Sequence, residues 1–283
     1  MSKERMWEQL NERIGEMIDT FPGIAGCCVK SITDGHMISV NGDVEFPIAS
    51  TIKIPILLQL LMRDEKGELD INQMVDITPE MIYPGSGVIT YLEGPLKLSI
   101  LDIAILMIIV SDNTATNMCI DYAGIDKTND MLRSLGVDNI TLRRKMQDTE
   151  SVVNNRENVG TPDDCVLLLD HLYNGKPSQG VSEKCLSILR KTKSSLLSRV
   201  IPPEVPLANK PGGMARVRCD AGIVYLSRYP YVVSIQTSFS EVEPEDQQNF
   251  ILELGSMIHS VMAVLDSSND YGQGIALLNR VTD

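Results

Sequence analysis

The pattern of hydrophobic and polar positions changes twice along the chain. Apolar residues first recur every three or four positions between Met6 and Ile18, which predicts an amphipathic helix. Two short apolar runs, 24–30 and 36–40, follow on either side of the sequence Thr-Asp-Gly, which is typical of a β-hairpin turn. The chain is therefore predicted to begin with a helix and a pair of strands.

The middle of the chain carries helical spacing instead. Most of its apolar segments are bounded by Gly, Ser, Asp or Pro, which commonly begin and end helices. The predicted helices cover residues 51–62, 100–110, 113–123, 127–135, 162–172 and 182–189. Strand patterns then return: residues 220–226 and 231–237 are rich in Val, Ile and Tyr, and 244–265 have the pattern of a final helix.

Strands at both ends and helices between them predict an α+β fold. The simplest arrangement is one antiparallel sheet flanked by the terminal helices, with an all-helical domain inserted between its two halves. Residues 1–45 and 196–283 would form the sheet domain, and residues 46–195 the helical domain. Because clefts between such lobes commonly bind ligands, we expect the active site there.

Composition restricts the partners. The 283 residues carry a formal net charge of −13, which repels phosphate backbones and anionic membrane surfaces. We therefore expect no nucleic acid and no membrane as partner, and a monomer that acts on a small molecule, which can be anionic. The N-terminus lacks the apolar stretch of a secretory signal, so a cytoplasmic protein is expected unless a leader was trimmed.

The six cysteines and three histidines suggest no metal or cofactor. No cysteine pair has Cys-x-x-Cys spacing, and none lies near a histidine at metal-ligand spacing, so we expect reduced, mostly buried thiols. The chain also has no Gly-x-Ser-x-Gly elbow before a helix, which argues against a Ser-His-Asp triad.

Ser50 and Lys53 are the first candidates for catalysis. Ser50 is expected to open a helix, and residues three apart share a helix face, so Lys53 should lie beside it. A serine hydroxyl needs a base to become a good nucleophile. The positive end of the helix dipole disfavours a protonated lysine there. In isolation, however, the pair is better explained as a helix cap followed by a solvated lysine.

Two polar stretches add further candidates. In a Ser-Asp-Asn sequence after the apolar helix, Ser111 has a hydroxyl that can relay a proton and Asn113 an amide that can hold a carbonyl. Later in the chain, Lys210 can face a cleft, and Gly212 and Gly213 allow a substrate to approach the backbone closely. Taken separately, both stretches are also explained as ordinary polar turns.

The order of these motifs is far more specific than any one of them. Ser-x-x-Lys, then Ser-Asp-Asn, then Lys-x-Gly is the motif set of the active-site serine penicillin-recognising enzymes. The chain therefore resembles the class A β-lactamase family over nearly its full length. The segments 85–88 and 111–117 also resemble that family.

The resemblance implies a role for each matching residue. Ser50 would be acylated, with Lys53 as its base, directly or through water. Ser111 would pass a proton to the leaving group and bridge Lys53 to Lys210. Asn113 would orient the substrate amide, and the charge of Lys210 would attract an anionic group.

The resemblance also implies an oxyanion hole made of two backbone N–H groups, those of Ser50 and Gly213. The neighbouring Gly212 would line the substrate site with it. One such donor typically contributes on the order of 10²–10³ in rate.

One departure from the family concerns release of the acyl group. The family has a Glu on a loop about thirty residues after Ser-Asp-Asn, within an Arg-x-Glu-Pro-x-x-Asn pattern, and this Glu activates the hydrolytic water. Counting along this sequence puts Gln147 near that position, and Gln cannot act as a general base. Asp148 and Glu150 are carboxylates that could substitute, or they belong to a solvated acidic turn.

A second departure concerns the Lys-x-Gly motif. Pro211 stands where the family has a hydroxyl residue that binds the substrate carboxylate, a loss of roughly 1–3 kcal/mol. Arg216 and Arg218 could replace the missing donor, since their spacing puts them on one strand face. A structural salt bridge is an equally simple explanation for either arginine.

These observations leave four hypotheses. The first is a β-lactamase-like serine hydrolase that acts on an ester, an amide or an unusual lactam, with antibiotic turnover slow or absent. The second is a true class A β-lactamase that uses Asp148 or Glu150 for deacylation. The others are a penicillin-binding or sensor module that is acylated once without turnover, and an acyltransferase.

Overall fold

The computed structural model describes residues 2–191 and 194–275. Its strands are β1 Ile24–Ser31, β2 Met37–Val40, β3 Phe46–Pro47, β4 Met74–Ile77, β5 Leu96–Ser99, β6 Val159–Gly160, β7 Leu207–Met214, β8 Val217–Val224 and β9 Tyr231–Ser238. Its α-helices are α1 Ser2–Asp19, α2 Lys53–Glu65, α3 Ile100–Ile109, α4 Asn113–Ala123, α5 Ile125–Ser134, α6 Thr149–Val153, α7 Pro162–Tyr173, α8 Gln179–Leu189, α9 Leu197–Val200 and α10 Pro244–Ser267. The predicted α+β class is confirmed.

Strands from both ends of the chain form the central antiparallel sheet, in the order β2-β1-β9-β8-β7. The N-terminal β1 pairs with the C-terminal β9 along its whole length, from Ile24 opposite Ser238 to Ser31 opposite Tyr231. Strand β7, which carries Lys210, is one of the two edge strands, and β2 is the other. Two short antiparallel pairs, β3–β6 and β4–β5, lie outside this sheet and were not predicted.

Two apolar clusters cover the two faces of the sheet. On one face, α1 and α10 contribute side chains such as Leu10, Ile14 and Leu254, and the sheet contributes Cys27. On the other face, Cys28 belongs to the cluster formed with α7 and the helices of the middle region. Adjacent residues of β1 thus face opposite layers, as strand geometry requires.

The second cluster has no break between the helical region and the sheet. It joins α2, which is buried from Lys53 to Leu61, to Ala208 and Ala221 on β7 and β8. The domain limits expected at residues 46 and 195 therefore stay a prediction. By length and composition alone, helix α10 could cross a membrane. In this structure, its apolar side chains pack against the sheet.

All six cysteines are buried and free, as the sequence predicted. Burial raises the thiol pKa of Cys165, Cys185 and Cys219 to about 12, so these groups stay protonated and unreactive near neutral pH. Within residues 2–191 and 194–275, no group of three His, Cys, Asp or Glu side chains is arranged to hold a metal ion.

Candidate active site

Ser50 lies on a 3-10 turn, Ala49–Ile52, that leads directly into α2. Its side chain is half-buried, while Thr51 beside it is buried. The Thr51 hydroxyl donates to the carbonyl of Lys210 at 3.3 Å, and the Cys219 thiol donates to the carbonyl of Ile48 at 3.1 Å. These bonds join the turn that carries Ser50 to strands β7 and β8.

Lys53 is fully buried, and hydrogen bonds of Ser111 connect it to Ser50. The Lys53 Nζ donates to the Ser111 Oγ at 2.9 Å, and the Ser111 Oγ donates to the Ser50 Oγ at 2.8 Å. The helix-face argument placed Lys53 directly beside Ser50. The structure instead connects the lysine and the serine through a second hydroxyl, which forms a continuous path for a proton.

Ser111 reaches both groups because of its backbone conformation. It lies between α3 and α4 with φ of 56°, in the left-handed region that non-glycine residues rarely occupy. In this conformation, its carbonyl also accepts from the Lys53 Nζ, at 2.8 Å. Strained conformations of this kind are common at functional sites.

Asp112 holds the surrounding backbone. One oxygen of its buried carboxylate accepts from the N–H of Ala115 at 2.9 Å and caps α4. The other oxygen accepts from the N–H groups of Val88 and Ile89, at 2.7 and 2.9 Å. A single side chain therefore fixes the start of α4 and the loop at 85–89 that faces Ser50.

Asp112→Ala should lower the free energy of unfolding by about 3–5 kcal/mol, because two buried N–H groups and one part-buried N–H group lose their acceptor. Urea unfolding measures this loss. Asp121→Ala is the matched control, since Asp121 is on the same helix with 61% of its side chain exposed, and a change within about 0.5 kcal/mol is expected. Equal losses for the two variants would contradict the role given to Asp112.

Asn113 begins α4 and directs its side chain towards the 85–89 loop. Its Nδ2 donates to the carbonyl of Pro84 at 3.0 Å. At Gly85, which has φ of +101°, a Cβ would come within 2.6 Å of this nitrogen and 2.8 Å of the Gln147 Nε2. Glycine is therefore required there, and the two amide side chains lie close together around it.

Lys210 completes the polar group from the edge strand. Its Nζ donates to the Ser111 Oγ at 3.3 Å and to the Pro211 carbonyl at 3.0 Å. Burial lowers the pKa of Lys210 to about 8, while the carboxylate of Asp220 acts in the opposite direction. Burial, followed by the charge of Lys210, holds the pKa of Lys53 well below its usual value. The site therefore favours a neutral Lys53 beside a Lys210 that can carry charge.

The Gly212–Gly213 stretch of β7 lies against the nucleophile. A Cβ at Gly212 would come within 2.9 Å of the Ser50 backbone nitrogen and 2.8 Å of the Ile48 carbonyl. The strand can approach the turn this closely only without a side chain. Gly213 lines both cavities that meet at Ser50, which is compatible with a backbone oxyanion site there.

Two cavities meet at Ser50, and each has its own lining. The first, of about 300 Å³, runs past the 85–89 loop, which lies between β4 and β5, and past α6. The second, of about 340 Å³, runs along β7. Asn113, Gln147 and Asp148 line the first cavity, whereas Ser111, Lys210 and Arg218 line the second.

Neither proposed substitute carboxylate is well placed as a base. Asp148 caps α6, and its oxygens accept from the Ser151 N–H at 2.9 Å and the Ser151 hydroxyl at 2.7 Å. These hydrogen bonds lower the pKa of Asp148. Glu150 is exposed and does not line the cavity. Both residues fit the helix-capping and solvated-turn explanation better than deacylation.

Met146 is one of the cavity residues that the sequence analysis missed. Its N–H donates to the Asn117 Oδ1 at 2.7 Å, and its carbonyl accepts from the Asn117 Nδ2 at 3.1 Å. Its side chain lines the first cavity and packs against the apolar cluster. An amide on α4 therefore fixes Met146, whereas Gln147 is exposed with φ of 63°. The available signal was Asn117, one helical turn after Asn113.

The two arginines do not share a strand face, so that prediction was wrong. Arg216 lies in the turn between β7 and β8 with φ of 60°, and its Nη1 donates to the Ser240 carbonyl at 2.7 Å. It lines neither cavity at Ser50. Arg218 lines the second cavity, where Arg199 of α9 joins it. The unexpected cation of the site is thus Arg199.

Comparison with known proteins identifies the family of the chain. The model of the β-lactamase enzyme family matches residues 9–262. A β-lactamase of Bacteroides uniformis is 24% identical over 92% of this chain and 93% of its own length. The β-lactamase regulatory protein BlaB of Streptomyces cacaoi is 26% identical over 52% of this chain, and the match spans about half of its own length, 46%.

Solved structures extend the likeness to three dimensions. A β-lactamase from Sphaerobacter thermophilus has a TM-score of 0.82 at 28% identity, covering 91% of this chain and 98% of its own. A variant of PBP-A, solved as its acyl-enzyme complex with penicillin G, has a TM-score of 0.82 at 26% identity, covering 90% and 97%. The fold, the motif order and the family match agree, and this chain belongs to the serine β-lactamase-like enzyme family.

Proposed function

We propose that this protein is a serine hydrolase that forms a covalent acyl-enzyme at Ser50 with a lactam, amide or ester substrate. The observation that carries the proposal is the hydrogen-bonded chain from the Ser50 Oγ through the Ser111 Oγ to the Lys53 Nζ, with links of 2.8 and 2.9 Å. A hydroxyl between a nucleophile and a buried amine can move a proton without any rearrangement of the backbone.

In the acylation step, the Ser50 Oγ forms a bond to the substrate carbonyl carbon. Its proton passes to the Ser111 Oγ while the Ser111 proton passes to Lys53, whose lowered pKa makes it an acceptor. Hydroxyl protons rotate, so the chain can run in this direction when Lys53 is neutral. When the carbonyl–leaving-group bond breaks, Ser111 protonates the leaving atom and is reprotonated by Lys53.

Deacylation is expected to be the slower half of the proposed cycle. Hydrolysis needs a base beside the acyl carbonyl, and in the described part of the first cavity the carboxylates of Asp148 and Glu157 are already hydrogen-bonded. Met146 provides no base. We therefore expect slow turnover of β-lactams, which also keeps a second candidate, a penicillin-binding module that is acylated without turnover.

Intact-mass measurement on the purified protein tests the proposal. The protein is incubated with a panel of β-lactams and activated esters, and the adduct mass is followed over time. We expect a single adduct on Ser50 with at least one of these reagents. If the whole panel leaves the mass unchanged, or labels a site other than Ser50, the proposal is wrong. The rate of adduct loss separates a hydrolase from a non-turnover module.

The pH dependence of acylation should reflect the protonation of Lys210 and Lys53. Lys210 must be protonated to attract an anionic substrate group, so the rate should fall as pH rises through its pKa of about 8. Lys53 must be neutral to accept a proton, so the rate should also fall at low pH. Stopped-flow acylation across this range measures both limbs.

Lys210→Arg is the matched variant for the alkaline limb. A guanidinium stays charged far above the pKa of a buried lysine, so the fall near pH 8 should disappear or move to higher pH. The acid limb should remain. An alkaline limb that is unchanged in Lys210→Arg would exclude Lys210 as its source.

A further inference from the structure

The position of Ser111 separates the two sides of the substrate. Ser50 lines both cavities, whereas Ser111 lines only the second. In the proposed reaction, Ser111 protonates the leaving atom, so the leaving group must lie in the second cavity. The acyl part, on the other side of the carbonyl, must then extend into the first cavity, beside Asn113.

The first cavity has an apolar part. Met146, Val152 and Met214 line it beside uncharged polar residues such as Asn113 and Thr149, and Val152 is 45% exposed. An exposed valine and two methionines beside a nucleophile form a surface that binds hydrocarbon without directional constraints.

The charged side chains that line the first cavity already have polar partners. Among the described residues lining the first cavity, the charged ones are Arg144, Asp148 and Glu157. Arg144 and Glu157 form a salt bridge at 2.6 Å, with side-chain exposures of 10% and 17%. Asp148 accepts two hydrogen bonds from Ser151. A charged acyl group would therefore lose its hydration without gaining an ion pair.

The second cavity has the opposite character. Its charged residues, within the part of the chain that the structure describes, are Arg199, Lys210 and Arg218, and all of them are cationic. The difference in charge between the cavities distinguishes an acyl side from a leaving-group side.

We propose that the acyl group transferred to Ser50 is a neutral, apolar chain that lies along Met146, Val152 and Met214, and that Val152 helps to select it. This inference rests on the proposed acyl-enzyme function. In the test reaction, a bond forms between the Ser50 Oγ and the acyl carbon, and the Ser50 proton passes through Ser111 to Lys53. The ester C–O bond breaks with release of nitrophenolate.

A series of p-nitrophenyl esters tests the chain length and charge of the acyl group. Acetyl, butyryl, hexanoyl and hemiadipyl esters are compared by the nitrophenolate burst, each normalised to its spontaneous hydrolysis. From acetyl to hexanoyl, the second-order acylation rate should rise about two- to fourfold for each methylene taken out of water. The hemiadipyl ester, which has the chain length of the hexanoyl ester but ends in a carboxylate, should react about tenfold more slowly than the hexanoyl ester.

Val152→Asp and Val153→Asp form a matched pair of variants. Val152 lines the cavity, whereas Val153 next to it is 81% exposed and lies outside. Val152→Asp should slow the hexanoyl ester about tenfold and change the acetyl ester less than about twofold. Val153→Asp should leave both rates unchanged. Val152→Thr, which keeps the side-chain shape, should show the same selectivity change to a smaller degree.

The outcomes distinguish a failure of the apolar acyl site from a failure of the acyl-enzyme function. Acylation of Ser50 at equal rates by all chain lengths, or acylation by the hemiadipyl ester as fast as by the hexanoyl ester, would overturn the apolar acyl site while leaving the acyl-enzyme function intact. Equal effects of Val152→Asp and Val153→Asp would also overturn it. No adduct on Ser50 with any ester or β-lactam would overturn both.

Discussion

Replacing Ser50 with alanine is expected to abolish covalent labelling by every β-lactam and activated ester that modifies the unaltered protein. The Ser50 Oγ is the atom that forms the acyl bond. Ser86 also lines both cavities, but the hydrogen-bonded chain from Lys53 through Ser111 ends at Ser50. The acylation rate should fall by at least about 10³-fold, the scale of losing a nucleophile. Intact-mass spectrometry measures the adduct directly.

Ser260→Ala is the control for nonspecific labelling. Ser260 lies on α10, where its hydroxyl donates to the Ser256 carbonyl at 2.8 Å, remote in sequence from every residue of the site. This variant should be labelled like the unaltered protein. If Ser50→Ala and Ser260→Ala are labelled equally, Ser50 is not the nucleophile.

Met146→Glu is expected to give the largest gain of function. The Asn117 amide holds the backbone of Met146 on both sides, so a carboxylate there would point into the first cavity as the methionine does. Partial burial would raise the pKa of that carboxyl and make it a better base. Loss of the acyl adduct should accelerate on the order of 10²–10⁴-fold, which is typical of a positioned general base.

Gln147→Glu is the comparison for Met146→Glu. Counting along the sequence suggested Gln147, and the structure places its amide at the exposed rim beside Gly85. We therefore expect a smaller acceleration from Gln147→Glu than from Met146→Glu, measured by the time course of adduct mass. A larger effect of Gln147→Glu would show that hydrolytic water approaches from the rim instead.

Periodicity predicted the sheet and most of the helices because burial on one face leaves a regular pattern. Strands 24–31 and 231–238 alternate between two buried layers, and α7 and α10 begin at a proline that marks a helix start. Strand β7 was harder to predict, because its Lys-Pro-Gly-Gly sequence lacks alternation. Two-residue strands such as β3 are too short to leave a pattern.

The sequence predicted which residues form the candidate site but not the hydrogen bonds that join them. Motif order brought Ser50, Lys53, Ser111 and Lys210 together before any geometry was known. The direct contacts depend on the left-handed backbone at Ser111, which no propensity of serine indicates. Counting residues along the loop before α6 pointed to Gln147 instead of Met146. The left-handed backbone at Gln147 decides which side chain of this loop faces the cavity, and counting does not reveal it.

The pairing of β1 with β9 has a consequence for synthesis on the ribosome. A nascent chain already carries Ser50, Lys53, Ser111 and Lys210 before residues 231–238 emerge, yet β1 and β8 then lack the strand that lies between them. Contacts between such distant segments form slowly and leave unpaired edges exposed to aggregation. Acylation of Ser50 should therefore appear only after release of the C-terminal strand, which would make the active site a reporter of completed folding.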